Sequence, residues 1–178
     1  GTFAIMPVTG SMMTGLRERA SSFSHDQEIA GPHYYRVFLE DHQVEVEITP
    51  TERAAILRFG FPENSEKFIV IDVFNRGGSI RIFPEEGKVI GYTRFNSGGV
   101  PDNFANYFVM EFDQEIVNHG TWDDENIFIN QAEITQEEKV CGGIIGFLHE
   151  PELDVEVRVA SSFISVEQAE RNLEQELQ

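Results

Sequence analysis

The stretch YYRVFLEDHQVEVEIT, residues 34–49, indicates the fold most directly. Apolar and polar side chains alternate along residues 34–40 and again along residues 44–49, and a three-residue break separates the two runs. Alternation with a period of two is typical of a strand with one buried face, and two such runs joined by a short turn predict an antiparallel hairpin. We expect the core side of the second strand to carry Val44, Val46 and Ile48.

The rest of the chain continues this pattern in short apolar runs, separated by breaks rich in residues that favour turns. The runs are AAILRFGF (54–61), FIVIDVF (68–74), SIRIF (79–83), KVIGYTRF (88–95), YFVMEF (107–112), NIFIN (126–130), GGIIGFL (142–148) and, after the break HEPE (149–152), LDVEVRVASSF (153–163). FIVIDVF is apolar on both faces apart from Asp72, which predicts a central strand. About ten short strands favour two packed antiparallel sheets, so the predicted class is all-β, an antiparallel β-sandwich.

The C-terminal stretch SVEQAERNLEQELQ (165–178) predicts the one strong helix. Ser165 and Gln168 have the spacing of a capping box. An apolar stripe follows, and no glycine, proline or basic last turn marks an end. We expect the helix to pack on the flank of the sandwich and on a further domain, and to be frayed or held by a neighbouring chain where that domain is missing. The stripe consists of Val166, Ala169, Leu173 and Leu177.

Composition limits the classes of partner. The 178 residues include 13 Lys and Arg against 31 Asp and Glu, a net charge of −18. A field of that sign repels phosphate backbones and anionic membrane surfaces, so we expect neither nucleic acid nor membrane as a partner. The longest apolar runs are far shorter than the roughly 20 residues of a membrane span. Cys141 is the only cysteine, which excludes an internal disulfide. The compartment stays open and could be the cytoplasm, the outside of the cell or the cell surface.

Four residues before and within the hairpin are candidates for a binding site. His25 and Glu28 would share a face in a turn or helix, where such a pair can bind a metal or contact a sugar hydroxyl. A polar loop leading into a strand explains them equally well. Of Tyr34 and Tyr35, one ring must face the core and the other the outside. The outer ring could serve as a platform for a sugar or as part of an interface.

Other local patterns favour structural interpretations. Ser24-His25-Asp26 has the residue types of a hydrolytic triad, but neighbours in an extended chain point in opposite directions. TWDDEN (121–126) invites a calcium-and-sugar interpretation, yet three contiguous acids cannot all turn towards one ion, so a solvated turn is favoured. CGGIIG (141–146) lacks the lysine of a phosphate loop, and Cys141 is expected to be a small buried thiol. These patterns identify no catalytic residue and no metal site.

Several segments, taken together and in order, resemble the N-terminal domain of glycoside hydrolase family 92. They are MPVTG (6–10), FSHDQEIAGPHYYRVFLED (23–41), VEVEITPTERAAILRFGFP (44–62), GYTR (91–94), YFVMEF (107–112) and SSFISVEQAERNLEQEL (161–177). The family consists mainly of exo-acting α-mannosidases. Where the family usually has Ser-Pro-Gly before its Tyr-Tyr, this chain has Gly31-Pro32-His33.

The resemblance implies a galactose-mutarotase-like β-sandwich over residues 1–163, followed by the start of a helical interdomain linker over residues 164–178. It implies a separate (α/α) barrel whose acidic residues and calcium ion hydrolyse mannosides with inversion, so we assign no catalytic residue here. The implied partners are that barrel and, through the whole protein, a mannose-containing glycan. Because the family's domain begins upstream of MPVTG, we also expect exposed sheet edges. Either another chain fills these edges, through self-association, or the remaining strands close up by themselves.

Two other functions stay open at this point. A free-standing carbohydrate-binding or adhesion sandwich would bind mannosides without a partner domain. An aldose-epimerase-like enzyme is suggested by the fold analogy alone, and it would need a complete cleft with a paired acid and base, such as a His and a Glu.

Overall fold

The computed structural model describes residues 2–148 and 154–177. The predicted break HEPE and Leu153 lie outside the described residues. In chain order the described strands are β1 (Ala4–Thr9), β2 (Ile29–Gly31), β3 (Tyr34–Leu39), β4 (Val44–Pro50), β5 (Ala54–Gly60), β6 (Lys67–Asp72), β7 (Gly78–Phe83), β8 (Lys88–Thr93), β9 (Asn106–Phe112), β10 (Ile116–Asp123), β11 (Ile127–Ile129), β12 (Glu133–Gln136), β13 (Cys141–Phe147) and β14 (Val155–Ser162), and the helix α1 (Val166–Glu176) follows.

The strands form two antiparallel sheets, as predicted. The smaller sheet has five strands in the order β1-β6-β13-β10-β11. The larger sheet has nine strands in the order β12-β7-β8-β9-β14-β5-β4-β3-β2. The opening hairpin is β3 and β4, paired from Tyr35 opposite Ile48 to Leu39 opposite Val44. The predicted class, an all-β sandwich with a C-terminal helix, is confirmed.

Strand β6 is an interior strand of the small sheet, as its continuous apolar run predicts, and it lies between β1 and β13. Ile69 and Ile71 belong to the main core between the two sheets, which the alternate residues of both sheets fill. Phe68 and Val70 face the other side of the small sheet and pack in a second cluster with Trp122 and other side chains. The small sheet is therefore buried on both faces at this strand.

The outer face of the small sheet is covered by the irregular segment that follows β1. Met12 and Met13 from this segment pack against the cluster that contains Val8 and Ile144. Arg19 in the same segment is almost completely buried. The segment therefore replaces a third layer of regular structure over this face.

Four strands were not predicted from sequence. β2 and β12 are short, and β10, with the sequence IVNHGTWD, lacks a regular alternation. The ladder between β10 and β13 is irregular between Ile116 and Asn118, which disturbs the period of two. The fourth, β1, was not among the predicted apolar runs.

Helix α1 has the predicted cap and most of the predicted buried stripe, in which Val166 is only partly buried. The Ser165 hydroxyl accepts a hydrogen bond from the Gln168 N–H at 3.2 Å. Ala169, Leu173 and Leu177 are buried against the outer face of the large sheet. Packing on the flank of the sandwich is confirmed, and the expectation of a frayed helix is wrong. A contact of the helix with a neighbouring chain stays a prediction. The sheet residues in this contact are Ala54, Val109 and Ala160, with Ile56 and Ile90 at its margin.

A carboxylate near the end of α1 ties the helix to the β4–β5 turn. Glu176 accepts hydrogen bonds from the Thr51 hydroxyl at 2.5 Å and from the Arg53 backbone N–H at 3.0 Å. The Arg53 guanidinium donates a further bond at 2.6 Å. These contacts, the Thr51 hydroxyl first, lower the pKa of Glu176 to about 2. The helix is thus held at its cap and near its C-terminal end.

Replacing Leu173 with alanine is expected to lower the free energy of unfolding by about 2–5 kcal/mol, because a buried leucine leaves a cavity under the helix. Glu174→Ala, at an exposed position of the same helix, is the matched control and should change stability by less than about 0.5 kcal/mol. Urea denaturation followed by circular dichroism measures both. Equal midpoints for the two variants would show that α1 does not pack on the sheet in solution.

The sheet edges are short or interrupted. Edge strands β2 and β11 have three residues each and β12 has four. On the longer edge strand β1, the Gly10 N–H bonds to the Glu66 carbonyl, so in the alternating ladder Pro7 faces the free edge, where it offers no donor. Both features oppose edge-to-edge pairing. Self-association through the edges stays a prediction.

Candidate functional site

Three of the four candidate residues meet at the beginning of the hairpin. His25 lies in a short 3-10 helix, His25–Gln27, capped by the Ser24 hydroxyl. Its Nδ1 lies 2.6 Å from Glu28 Oε2, while the Tyr35 hydroxyl donates to Glu28 Oε1 at 2.5 Å. The predicted shared face of His25 and Glu28 is therefore present, and Tyr35 completes the group. We call these three residues the Glu28 cluster.

Strand pairing places Tyr35 in this cluster. Glu28 directly precedes β2, and β2 pairs with β3 so that Ala30 lies opposite Tyr35. The Tyr35 ring packs against the main core, so only its hydroxyl end reaches the carboxylate at the sheet edge. The His25 side chain is 82% exposed and makes an edge contact with Phe23 at 5.1 Å between ring centroids.

Tyr34 points to the outer face of the large sheet, away from the Glu28 cluster. Its hydroxyl donates to Glu47, and the Arg58 guanidinium also donates to Glu47, with Nε at 2.6 Å. The predicted division of the tyrosine pair, one ring inward and one outward, is confirmed. Tyr34 borders a cleft of about 270 Å³ whose other lining residues are Glu47, Thr49, Ile56, Arg58 and Glu156.

Both carboxylates in these groups are stabilised in the charged form. The Tyr35 hydroxyl, followed by His25, lowers the pKa of Glu28. The Tyr34 hydroxyl, followed by Arg58, lowers the pKa of Glu47. The same hydrogen bonds raise the pKa of both tyrosines. Near neutral pH the two sites therefore present acceptors and phenolic hydroxyls, and neither carboxyl is suited to act as a general acid.

Replacing Tyr35 with phenylalanine is expected to raise the pKa of Glu28 towards its ordinary value of 4.5, because the main hydrogen bond to the carboxylate is lost. A lowered folded-state pKa contributes stability above the unfolded value that is lost as pH falls through the folded value. The variant should therefore lose stability at neutral pH relative to the parent, and the difference should shrink in acid.

Tyr34→Phe is the matched control, since it should raise the pKa of Glu47 and leave that of Glu28 unchanged. Carboxyl chemical shifts followed by NMR through an acid titration measure both values. An unchanged Glu28 titration in Tyr35→Phe would contradict the described cluster.

The predicted solvated turn of TWDDEN is present at residues 124–126, but it does not include Trp122. Trp122 lies in β10, is buried, and donates from Nε1 to the Gly143 carbonyl at 3.1 Å. The turn begins only after Asp123, whose carboxylate accepts from the backbone N–H groups of Glu125 and Asn126 at 3.0 and 2.9 Å. The carboxylate of Asp123 thus holds the turn, and the tryptophan belongs to the packed cluster on the small sheet.

The CGGIIG segment is part of strand β13, beside β6 and β10. Cys141 is buried, as predicted, and desolvation raises the pKa of its thiol to about 12. A Cβ at Gly142 would lie 2.0 Å from the Ile71 carbonyl and 2.4 Å from the Trp122 ring. Glycine at this position therefore allows the close approach of β6 and of the Trp122 ring.

A buried ion pair was not predicted from sequence. Arg19 Nη2 donates to Asp72 Oδ2 at 2.5 Å, and both side chains are almost fully buried. The guanidinium also lies 5.5 Å from the Trp122 ring centroid. Asp72 Oδ1 accepts from the Phe74 N–H at 2.7 Å. The lone acid within FIVIDVF was the only signal, and its partner is 53 residues distant in sequence.

Comparison with known families places these features in context. A profile of the glycosyl hydrolase family 92 N-terminal domain matches residues 1–162, nearly the whole sandwich. The chain belongs to glycoside hydrolase family 92. No curated protein matches the chain in sequence.

Solved structures of family 92 proteins resemble this family 92 domain closely. An inverting mannosidase of the family from Bacteroides thetaiotaomicron is 38% identical with a TM-score of 0.92, over 98% of this chain and 23% of its own. An α-mannosidase of the family from the same organism is 27% identical with a TM-score of 0.83, over 98% of this chain and 25% of its own. That enzyme has also been solved with mannoimidazole. The chain thus spans about a quarter of these relatives.

Two further properties bear on the site. Within residues 2–148 and 154–177, no group of three or more His, Cys, Asp or Glu side chains is arranged to hold a metal ion. Over the same part of the family 92 domain, no helix has both the length and the apolar character needed to cross a membrane.

Proposed function

We propose that this chain is the non-catalytic N-terminal β-sandwich of an exo-acting, calcium-dependent, inverting α-mannosidase that trims α-linked mannose, as on N-glycans. In this role the domain supports a catalytic (α/α) barrel and borders its sugar pocket. The observation that carries the proposal is the 38% identity to an inverting mannosidase over 98% of this chain. Because that match spans 23% of the mannosidase, the chemistry is assigned to the remaining part.

The chemistry of inversion supports this division. An inverting glycosidase needs one carboxylic acid of raised pKa and one carboxylate base, with room for water between them. Among the described carboxyl groups, each with a clear pKa shift has its pKa lowered by hydrogen bonds. They are Glu28, Asp41, Glu47, Asp123, Glu133, Glu167 and Glu176.

Calcium belongs to the remaining part in this proposal. The described residues do not fit a calcium site, since no three His, Cys, Asp or Glu side chains among them are grouped to hold a metal ion. Glu47 binds Tyr34 and Arg58, and Asp123 holds its own turn. No step of catalysis is therefore derived from a metal bound to this chain.

Residues 23–35 are the proposed border of the sugar pocket. In the Glu28 cluster, the exposed His25 ring uses Nδ1 for Glu28, and among the described residues its Nε2 has no partner. Because the bond through Nδ1 fixes the orientation of the ring, Nε2 can form a hydrogen bond with a sugar hydroxyl. Tyr34, on the other side of the hairpin, is the proposed contact to a neighbouring surface. Both roles are proposals for the whole protein.

Hydrolysis of an aryl α-mannoside tests the proposal. The 178-residue chain alone is expected to be inactive, and the longer polypeptide that contains it is expected to release mannose. Activity from the chain alone would overturn the assignment of catalysis to the remaining part. An inactive longer polypeptide, folded and supplied with calcium, would overturn the mannosidase assignment.

Two measurements separate the proposal from its alternatives. Calorimetric titration of the chain with methyl α-mannoside should show no measurable binding, whereas a free-standing carbohydrate-binding module would bind. Polarimetry should show no acceleration of glucose or galactose mutarotation. Acceleration would favour an epimerase-like activity and contradict the proposed supporting role.

A further inference from the structure

One end of the sandwich carries an exposed aromatic and aliphatic surface next to the start of α1. It is formed where β8 and β14 end and β9 begins. Tyr92 and Tyr107 are opposite each other on β8 and β9, and Tyr107 is also opposite Ser162 at the end of β14. We call this the exit surface, and its residues are Tyr92, Arg94, Phe104, Tyr107, Phe163 and Ile164.

The apolar part of the exit surface is unusually exposed. Phe163 is 66% exposed and Ile164 is 75% exposed. Phe163 is covered only in part by Phe104, with ring centroids 5.4 Å apart. Two adjacent large apolar side chains in water cost free energy that a partner could recover.

The helix that follows does not explain this exposure. Ile164 directly precedes the cap Ser165, a position whose apolar side chain often packs against the residue four places into the helix. That residue is Ala169, and it is fully buried against the sheet while Ile164 remains exposed. Ile164 is therefore available to a partner.

A cation completes the exit surface. Arg94 lies 5.8 Å from the Tyr92 ring centroid, and among the described residues it has no carboxylate partner. Other arginines on the outer face of the large sheet are paired, including Arg58 with Glu47 and Arg158 with Glu111. In a chain of net charge −18, an unpaired arginine beside apolar residues suits a surface that offers a carboxylate.

The course of α1 directs the chain to the same end of the sandwich. Glu176, at the end of the helix, is bound to Thr51 and Arg53 in the β4–β5 turn. The Arg53 carbonyl accepts from the Ser161 N–H at 3.0 Å, just before the exit surface. A domain attached after α1 would therefore be held beside this surface at high effective concentration.

We propose that the exit surface is the docking site for the domain that follows α1 in the longer protein. This inference rests on the proposed function. It also rests on the related mannosidase structures, in which about three quarters of the mannosidase chain lies outside the part that matches this domain. The face of that domain which contacts the exit surface supplies an apolar pocket for Phe163 and Ile164 and a carboxylate for Arg94. A second copy of this chain is a poorer occupant because two chains that each carry a net charge of −18 repel each other.

Scanning calorimetry on the longer protein tests the inference with the double variant Phe163→Ser/Ile164→Ser. Loss of docking should lower the unfolding temperature of the sandwich by about 4 °C or more. In the 178-residue chain alone the same change should shift it by less than about 1 °C, because these side chains contact little there. Ile129→Ser, at a 67% exposed position of β11, is the control and should be silent in both proteins.

Arg94→Glu provides a second variant, and it should lower the unfolding temperature in the longer protein only. Equal shifts in the longer protein and the isolated chain, or a silent double variant in the longer protein, would overturn the inference. So would dimerisation of the isolated chain that the double variant abolishes. Mannoside hydrolysis by the unmodified longer protein is scored separately, so a failed docking site and a failed mannosidase assignment give different results.

Discussion

Replacing Asp72 with asparagine is expected to lower the free energy of unfolding by about 3–5 kcal/mol, because it leaves the buried Arg19 charge without its counterion. The two side chains are almost fully buried and are joined at 2.5 Å. The Arg19 side chain also packs on Trp122, beneath the irregular segment that covers the small sheet. Loss of the ion pair should therefore weaken the packing of this segment on the sheet. Urea denaturation followed by tryptophan fluorescence measures the effect, since Trp122 is the only tryptophan.

The double variant Arg19→Met/Asp72→Asn separates the pair from the packing around it. Removing both charges should restore much of the stability lost in Asp72→Asn, because no unpaired charge stays buried. Glu133→Gln, in the exposed pair with Arg81, is the surface control and should cost less than about 1 kcal/mol. If Asp72→Asn cost no more than this control, the buried pair would not exist in solution.

Replacing Gly142 with alanine is expected to have the largest effect of any methyl-sized change. The new Cβ would lie 2.0 Å from the Ile71 carbonyl and 2.4 Å from the Trp122 ring. The carbonyl belongs to the interior strand β6, so the backbone inside the sheet must shift to relieve this contact. We expect a loss of more than about 4 kcal/mol, and therefore little or no folded protein at 37 °C.

Gly31→Ala is the matched control for this variant. A Cβ at Gly31 meets only the Tyr34 carbonyl at 3.5 Å, an ordinary contact, so the change should stay within about 1 kcal/mol. Far-ultraviolet circular dichroism and the urea midpoint compare the two proteins. Equal stability of the two variants would contradict the close contact between β13 and β6.

Local patterns were sufficient to predict the framework of the fold. The alternation in residues 34–49 predicted the β3–β4 hairpin, and the apolar run FIVIDVF predicted the doubly buried strand β6. The cap and stripe of α1 were also readable, because a helix repeats its buried positions every three or four residues. These features depend on neighbours in sequence.

Features that depend on distant partners could not be predicted in this way. The strand β10 has no clear alternation, and pairing with β13 and packing within the sheet hold it. Trp122 precedes three acidic residues in sequence, yet its ring is buried against Gly142 of strand β13, 20 residues further along the chain. The charge of Arg19 is neutralised by a residue on another element. A single sequence does not show which of its distant residues form such pairs.

The candidate site was predictable in part. The spacing of His25 and Glu28 indicated a shared face, and they meet at 2.6 Å. The addition of Tyr35 and the separation of Tyr34 follow from the pleat of β3. The strand register that decides which tyrosine reaches Glu28 was not visible in the sequence. Whether either group contacts sugar stays a proposal.

The central claim is that this domain belongs to an inverting α-mannosidase whose catalytic groups lie elsewhere in the polypeptide. Proton NMR during hydrolysis of an aryl α-mannoside tests it most directly, with the longer protein and the 178-residue chain compared side by side. We predict β-mannose as the first product of the longer protein and no product from the chain alone. α-Mannose as the first product, or any release of mannose by the chain alone, would contradict the account.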